Sequence, residues 1–333
     1  MMNQRALILR LIFLSGLTSA SVQAATQEGV TYDPQTGNYA IAYKAADIDG
    51  NEFLDEVTFV PATKIAPVVK VRFAKKIGSD SISYQYSIKN KDTASQAILG
   101  MYVPASTVGN GTQTIPSGWS GSVSKNYVGQ GLYVSWSYRR GQNPLAGLTP
   151  GYAQTGFGVE SSDLPGVVEV ELDGATPLIV WAGEIDPASE VGKQVNQLET
   201  SNFVRIASAV PRISVPSPYD AATVLTNIQK HLDTDLVGLK LVGPALVTEL
   251  DRWLDAAIAA AKSGNSAALK ADIKELRKLL KREHEDVDKE NDGDAKDDDD
   301  KNKTTRRQID KLAARVLNFD LKYVEKRVKG DND

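Results

Sequence analysis

The feature that most constrains this chain is a change of hydrophobic period across Pro211–Pro218. Before that run, apolar residues recur at every second position. After it, they recur every third or fourth. Side chains alternate faces along a strand and return to one face about every 3.6 residues along a helix, so the two halves demand different elements. The run itself, Pro211-Arg212-Ile213-Ser214-Val215-Pro216-Ser217-Pro218, holds three prolines in eight residues. Prolines remove backbone donors and favour extended chain. The reading therefore places a linker at 211–218, a β-domain over 28–210 and a helical domain over 219–328.

In the first half, Ile82-Ser83-Tyr84-Gln85-Tyr86-Ser87-Ile88 alternates without a slip, which puts Ile82, Tyr84, Tyr86 and Ile88 on one strand face. Leu132–Trp136 and Val167–Leu172 behave similarly, and further strands are expected at Tyr39–Tyr43, Glu56–Val60, Val68–Phe73, Ala97–Val103 and Leu178–Trp181. Gly, Pro, Asn and Asp clusters separate them. Short strands without helical period between them predict an antiparallel β-sandwich, Ig-like or jelly-roll-like, and argue against a parallel α/β enzyme fold. Trp119, Trp136 and Trp181 are expected to fill its core, as large aromatics do. Trp119 is the exception, because Pro116-Ser117-Gly118-Trp119-Ser120-Gly121 has a loop composition that would expose it. It is the candidate ligand-binding residue, able to stack on a sugar ring.

In the second half, Leu246, Leu250, Trp253, Leu254, Ala257, Ile258 and Ala261 fall on one helix face. Pro244 suits the first turn, Gly264 the stop, and Asn265 or Ser266 the next cap. The following helix buries Leu269, Ile273, Leu276, Leu279 and Leu280, and Trp253 is expected to anchor the core. The last helix carries Ile309, Leu312, Ala313, Val316, Leu317, Leu321 and Val324, and a shorter one covers Asp220–His231. Helices joined this tightly predict an antiparallel bundle. Between the last two helices, an acidic loop over 283–303 is expected to be solvated. Its Glu283–Lys301 stretch holds eleven acids against three lysines, a net of -8. His231 sits near a helix end, where an imidazolium would meet the favourable end of the macrodipole. His284 is placed to close the apolar face of its helix.

Residues 1–24 read as a Sec-type signal peptide. Arg5 and Arg10 lie at the start, an apolar run follows to Leu17, and small residues precede a cleavage-like site at Val22-Gln23-Ala24. The alternative is an anchor that is never cut. Cleavage would leave 36 basic residues against 42 acidic ones, a net of -6, with no transmembrane anchor, and would send the protein to the periplasm or the exterior. Cysteine is absent, so an exported chain of this kind must be stabilised by packing rather than disulfides. A net acidic chain disfavours nucleic acid as a partner.

Asp47-Ile48-Asp49-Gly50-Asn51-Glu52-Phe53-Leu54-Asp55 offers oxygen side chains at its first, third, fifth and ninth positions. Asp47, Asp49, Asn51 and Asp55 could converge on one cation if Gly50 permits a tight loop. The run resembles the short calcium loop of integrin-type propeller repeats, with Glu52 standing where that loop has a second glycine. It is not an EF-hand, because the glycine is fourth rather than sixth and Thr58 stands at the bidentate position. A polar hairpin turn explains the same residues. Calcium is the one cofactor these residues suggest.

Tyr32-Asp33-Pro34-x-Thr36-Gly37-Asn38-Tyr39, Tyr84-x-Tyr86 and Gly156-Phe157-Gly158-Val159-x-Ser161-x-x-Leu164-Pro165-Gly166 resemble exported bacterial proteins with β-sandwich ectodomains. Pro244–Leu280 resembles the FIMAH-type helical module of bacterial surface proteins. The resemblances imply an interaction role and bring no catalytic residues. No Gly-x-Ser-x-Gly elbow, phosphate loop, paired-His metal motif or dinucleotide fingerprint is present in the sequence. The expected function is an exported, non-enzymatic binding protein for a protein or glycan partner, with recognition by the β-sandwich. The alternative is a carbohydrate-active hydrolase or its accessory module, whose paired acids, such as Glu160, Glu169 or Glu171, would be brought together only in space.

Overall fold

The alternating runs become strands in a computed structural model, which describes residues 27–106, 113–125, 132–139, 146–175, 185–284 and 308–329. In chain order the strands are β1 (Gly29–Asp33), β2 (Asn38–Ala46), β3 (Glu52–Phe59), β4 (Pro67–Lys75), β5 (Ile82–Asn90), β6 (Ile98–Ala105), β7 (Trp119–Lys125), β8 (Leu132–Tyr138), β9 (Ala153–Ser161) and β10 (Leu164–Gly174). Helix α1 (Glu190–Thr200) and strand β11 (Val204–Ile213) follow, then α2 (Ala221–His231), α3 (Pro244–Lys262), α4 (Ser266–Glu283) and α5 (Lys311–Lys329). The signal-like segment 1–24, the expected strand Leu178–Trp181 with its Trp181, and most of the acidic loop 283–303 lie outside the described residues.

All strand pairing is antiparallel and forms three sheets, ordered β1-β2-β3, β4-β5-β9 and β11-β10-β6-β8-β7. The second and third sheets share one hydrophobic core and form the sandwich. Ile82, Tyr84, Tyr86 and Ile88 all point into it, as their alternation predicts. Burying side chains of this size contributes roughly 1.5–3 kcal/mol each. The Tyr86 ring lies 6.0 Å from that of Trp136, and its hydroxyl donates to the Ala209 carbonyl at 3.1 Å, tying one sheet to the other.

The helices follow their sequence signals closely. Asp220 caps α2 by accepting from the Ala222 and Thr223 amides, and Asn265 caps α4 through Ala268. Gly264, at φ 71°, turns the chain between α3 and α4 in a backbone region that L side chains rarely adopt. Trp253 is displaced from its expected anchoring role. It is only partly buried at the edge of the core, with the Arg252 guanidinium 5.1 Å above its ring.

Two expectations need correction. Helix α1 interrupts the strand region, capped by the Ser189 hydroxyl, which accepts from the Gly192 amide at 2.9 Å. Val191 and Val195 of α1 close a second, small core over Ile41, Tyr43 and Phe59 of the β1–β3 sheet. The Pro-rich run, moreover, begins as a strand and not as a linker. β11 continues through Pro211 to Ile213, where Pro211 stands opposite Pro165 at a register shift and its carbonyl accepts from the Ser106 amide at 3.1 Å.

The helical part also shares the sandwich core. A three-stranded sheet cannot cover a five-stranded one, and α5 packs against β10 and β11 in place of the missing strands. Phe319 of α5 meets Phe73 of β4 edge-on, with ring centroids 5.2 Å apart. Arg315 lies over the same Phe73 ring at 5.5 Å, and Arg327 binds Asp80 in the β4–β5 turn. With the sandwich on one side and α2 and α4 on the other, α5 buries residues nearly all round.

Candidate functional site

The Asp47–Asp55 loop folds as a hairpin turn between β2 and β3. The amides of Asp49 and Asn51 donate to Asp47 Oδ1 at 3.0 and 2.8 Å, and the Asn51 side-chain amide donates to Asp47 Oδ2 at 2.9 Å. These Asn51 bonds hold the Asp47 carboxyl below its ordinary range. Asp55 lies on β3 opposite Tyr43, whose hydroxyl donates to Asp55 Oδ2 at 3.0 Å. The fold thus joins Asp47 to Asn51 but assigns Asp55 to the strand. Among the described residues, no group of three or more His, Cys, Asp or Glu side chains is arranged to hold a metal. The geometry is that of a hairpin turn, with Asp47 bonded to Asn51 and Asp55 bonded to Tyr43 on the strand.

Trp119 is corrected outright. It starts β7 and is only 2% exposed, with its ring edge-on to Phe157 at 4.9 Å and to Tyr138 at 5.5 Å. The loop composition before it is real, but the strand turns the indole inward. No ring face is left for a sugar.

Of the candidate acids, Glu160 and Glu171 are ion-paired, and Glu169 is exposed on β10. Lys76 binds Glu160 at 3.0 Å and Arg205 binds Glu171 at 3.0 Å across the surface. His231 forms a pair that resembles a base with its orienting acid: Nδ1 lies 2.8 Å from Asp235 Oδ2. Its other nitrogen, Nε2, accepts the Val167 amide at 3.0 Å. An acceptor Nε2 carries no proton, so the buried ring is neutral and its basic lone pair is already used. This corrects the expectation of an imidazolium at the helix end. Burial raises the Asp235 carboxyl, but hydrogen bonds from His231 and Arg212 outweigh it and leave it below its ordinary range. The chain Arg212–Asp235–His231–Val167 therefore fastens the helical part to β10 and β11. Gly166 permits this approach, since a Cβ there would lie 2.6 Å from Arg212 Cβ and 3.0 Å from His231 Cε1. His284 does close its helix: the ring is buried, and Nε2 lies 2.9 Å from the Ile309 carbonyl.

The surface leaves other groups uncommitted. Ile48 is fully exposed at the tip of the β2–β3 hairpin, and Phe53, just beyond the turn, is 49% exposed. Phe53, Leu54 and Val191 line a cleft of about 590 Å³ together with Glu28, Lys44, Glu52 and Glu190. That volume falls in the range of small-ligand pockets, and a mixture of apolar and charged lining is common in a binding patch. A second cleft, of about 1000 Å³, opens on the helical side between Val237–Thr248 and Gln308–Asp310.

Sequence reasoning missed one buried group entirely. Asp320 of α5 is 0% exposed, and neither oxygen has a hydrogen-bond partner among the described residues. Burial holds its carboxyl well above the ordinary range. The signal was present: Val316, Asp320 and Val324 share one helix row, so an acid occupies an apolar position.

No family model matches the chain, and no curated protein matches it. Among solved structures, it is similar to the crystal structure of an uncharacterized protein from Nocardia farcinica with an immunoglobulin-like fold. The identity is 18%, over 37% of this chain and 87% of that one, with a TM-score of 0.26.

Proposed function

We propose that this chain is an exported, non-enzymatic binding protein whose recognition surface is the tip of the β2–β3 hairpin and the cleft beside it. The observation that carries this reading is the exposure of Ile48 and Phe53 on one hairpin whose Phe53 and Leu54 line a cleft with Val191. Exposed apolar side chains that adjoin a concave surface with charged lining are where partners gain most from burial. Of the acids offered for a hydrolase, Glu160 and Glu171 are paired with Lys76 and Arg205, and the His231 Nε2 accepts the Val167 amide. Export rests on the signal-like pattern of residues 1–24. The resemblance of Pro244–Leu280 to FIMAH-type modules of surface proteins is in keeping with that reading. In this chain the helical part packs on the sandwich core.

A glycan array, a peptide array and a broad hydrolase screen on the mature protein test this reading. The expected result is binding without turnover, weakened at least tenfold by Phe53→Ala at unchanged stability. A tenfold loss is about 1.4 kcal/mol, modest for a half-exposed aromatic anchor. Turnover of a glycan that is abolished by changing a single surface carboxylate would overturn the proposal in favour of a hydrolase.

A further inference from the structure

The acid at Asp320 sits where an apolar residue would serve the fold better. Its oxygens have no partner among the described residues, and it is fully buried in the helix that covers β10 and β11. A neutral carboxyl without hydrogen bonds is costly to bury, and an ionised one far more so. We propose that Asp320 is a proton-operated latch: α5 stays seated on the sandwich while the carboxyl holds its proton, and loosens when the proton leaves to solvent.

Several charged groups around α5 are bonded to other partners, while Tyr219, packed on Tyr323 and Arg327, has a buried hydroxyl with no hydrogen-bond partner among the described residues. From β5, Tyr84 donates its hydroxyl to the Asp163 carbonyl at 2.8 Å. From the β9–β10 turn, the Asp163 carboxylate accepts from the Ser106 hydroxyl at 2.6 Å. Arg277 of α4 donates to Asn318 and Glu325 of α5 at 3.0 and 2.9 Å. Glu171 of β10 is paired with Arg205, and Arg212 of β11 and His231 of α2 with Asp235. On α5 itself, Arg315 covers Phe73 and Arg327 binds Asp80. An ionised Asp320 therefore has no hydrogen-bonded cation in the seated state. Its charge would be relieved by lifting the helix into water. Burial also keeps the carboxyl well above its ordinary range, which sets the opening on the alkaline side of that range.

Hydrogen exchange on the whole mature protein, corrected for the intrinsic pH dependence of exchange, tests the latch. In the wild type, protection of the α5 amides falls by about tenfold per pH unit between the ordinary carboxylate range and the raised native value of the carboxyl, as release of one proton on lifting requires, and levels off above that value. In Asp320→Asn, that dependence disappears. Equal pH dependence in both proteins, or a wild-type α5 indifferent to pH, would overturn the proposal. If Asp320→Asn does not fold, a carbon-13 titration of the wild-type carboxyls decides. One aspartic acid still protonated well above the ordinary range supports the latch, and none overturns it.

Discussion

Truncating Phe319 to alanine tests whether the helices and the sandwich are one folding unit. The ring is almost fully buried and meets Phe73 edge-on at 5.2 Å, with Arg315 over the far partner. Phe-to-Ala changes in well-packed cores cost about 3–5 kcal/mol, and an edge-on aromatic pair adds about 0.5–1.5 kcal/mol beyond area burial. The Phe73 partner is held by β4 on one side and α5 on the other, so collapse into the vacated space is restricted. The upper half of the range, about 4–5 kcal/mol, is expected. That is a large part of the roughly 5–15 kcal/mol that stabilises a typical fold. Urea unfolding of Phe319→Ala, followed both by helical circular dichroism at 222 nm and by tryptophan fluorescence, measures it. Both signals should move to lower urea together, with unchanged slope. A loss below about 1 kcal/mol would refute the packing argument. A shift in the helical signal alone would refute the shared core.

Other consequences follow from the junction and the loop. His231→Phe keeps an aromatic ring but leaves the Val167 amide without its acceptor, while Asp235 keeps Arg212. The one unsatisfied buried amide costs about 1–3 kcal/mol, read by the same urea titration. Asp235 has a native value below its unfolded one, so its contribution is present above the ordinary carboxylate range and is lost as pH falls through the native value. In Arg212→Gln, that acid loss should be smaller and complete at higher pH in a stability-versus-pH series, because the native value moves toward the unfolded one. Calorimetry with millimolar calcium should give no heat for the Asp47–Asp55 turn, because its carboxylates serve the backbone and Tyr43. Heat that disappears in Asp49→Ala would reverse that reading. Trp119→Ala should lower stability by about 3–5 kcal/mol, as for other core aromatics, rather than remove a ligand contact.

The sequence reveals elements that bury one face and hides those that bury two or none. β5 alternates cleanly because one face meets the core and the other meets water, and α4 shows its stripe for the same reason. β7 reads Trp-Ser-Gly-Ser-Val-Ser-Lys, a polar edge strand with little alternation, and so passes for loop. β9 is broken by two glycines. β11 contains a proline and buries consecutive residues at Ser208–Pro211. Helix α5 is the most instructive case. Its apolar row was legible, but Ala314, Phe319 and Tyr323 lie off that row and are buried too. A helix apolar on several sides must be covered on several sides. That excess was the sequence's only hint that two apparent domains close around one core. Trp119 and Asp320 failed in opposite directions. Local composition suggested exposure for the first and nothing for the second, and both were decided by what the sheets and α5 bring over them.

The most direct test of the shared core needs no substitution. With fluorotryptophan incorporated, fluorine resonances from Trp136 in the sandwich and Trp253 on α3 report the two parts of one molecule. On heating, both native resonances should fade with the same midpoint, as a single cooperative transition requires. Loss of the Trp253 resonance while that of Trp136 remains native would contradict the account.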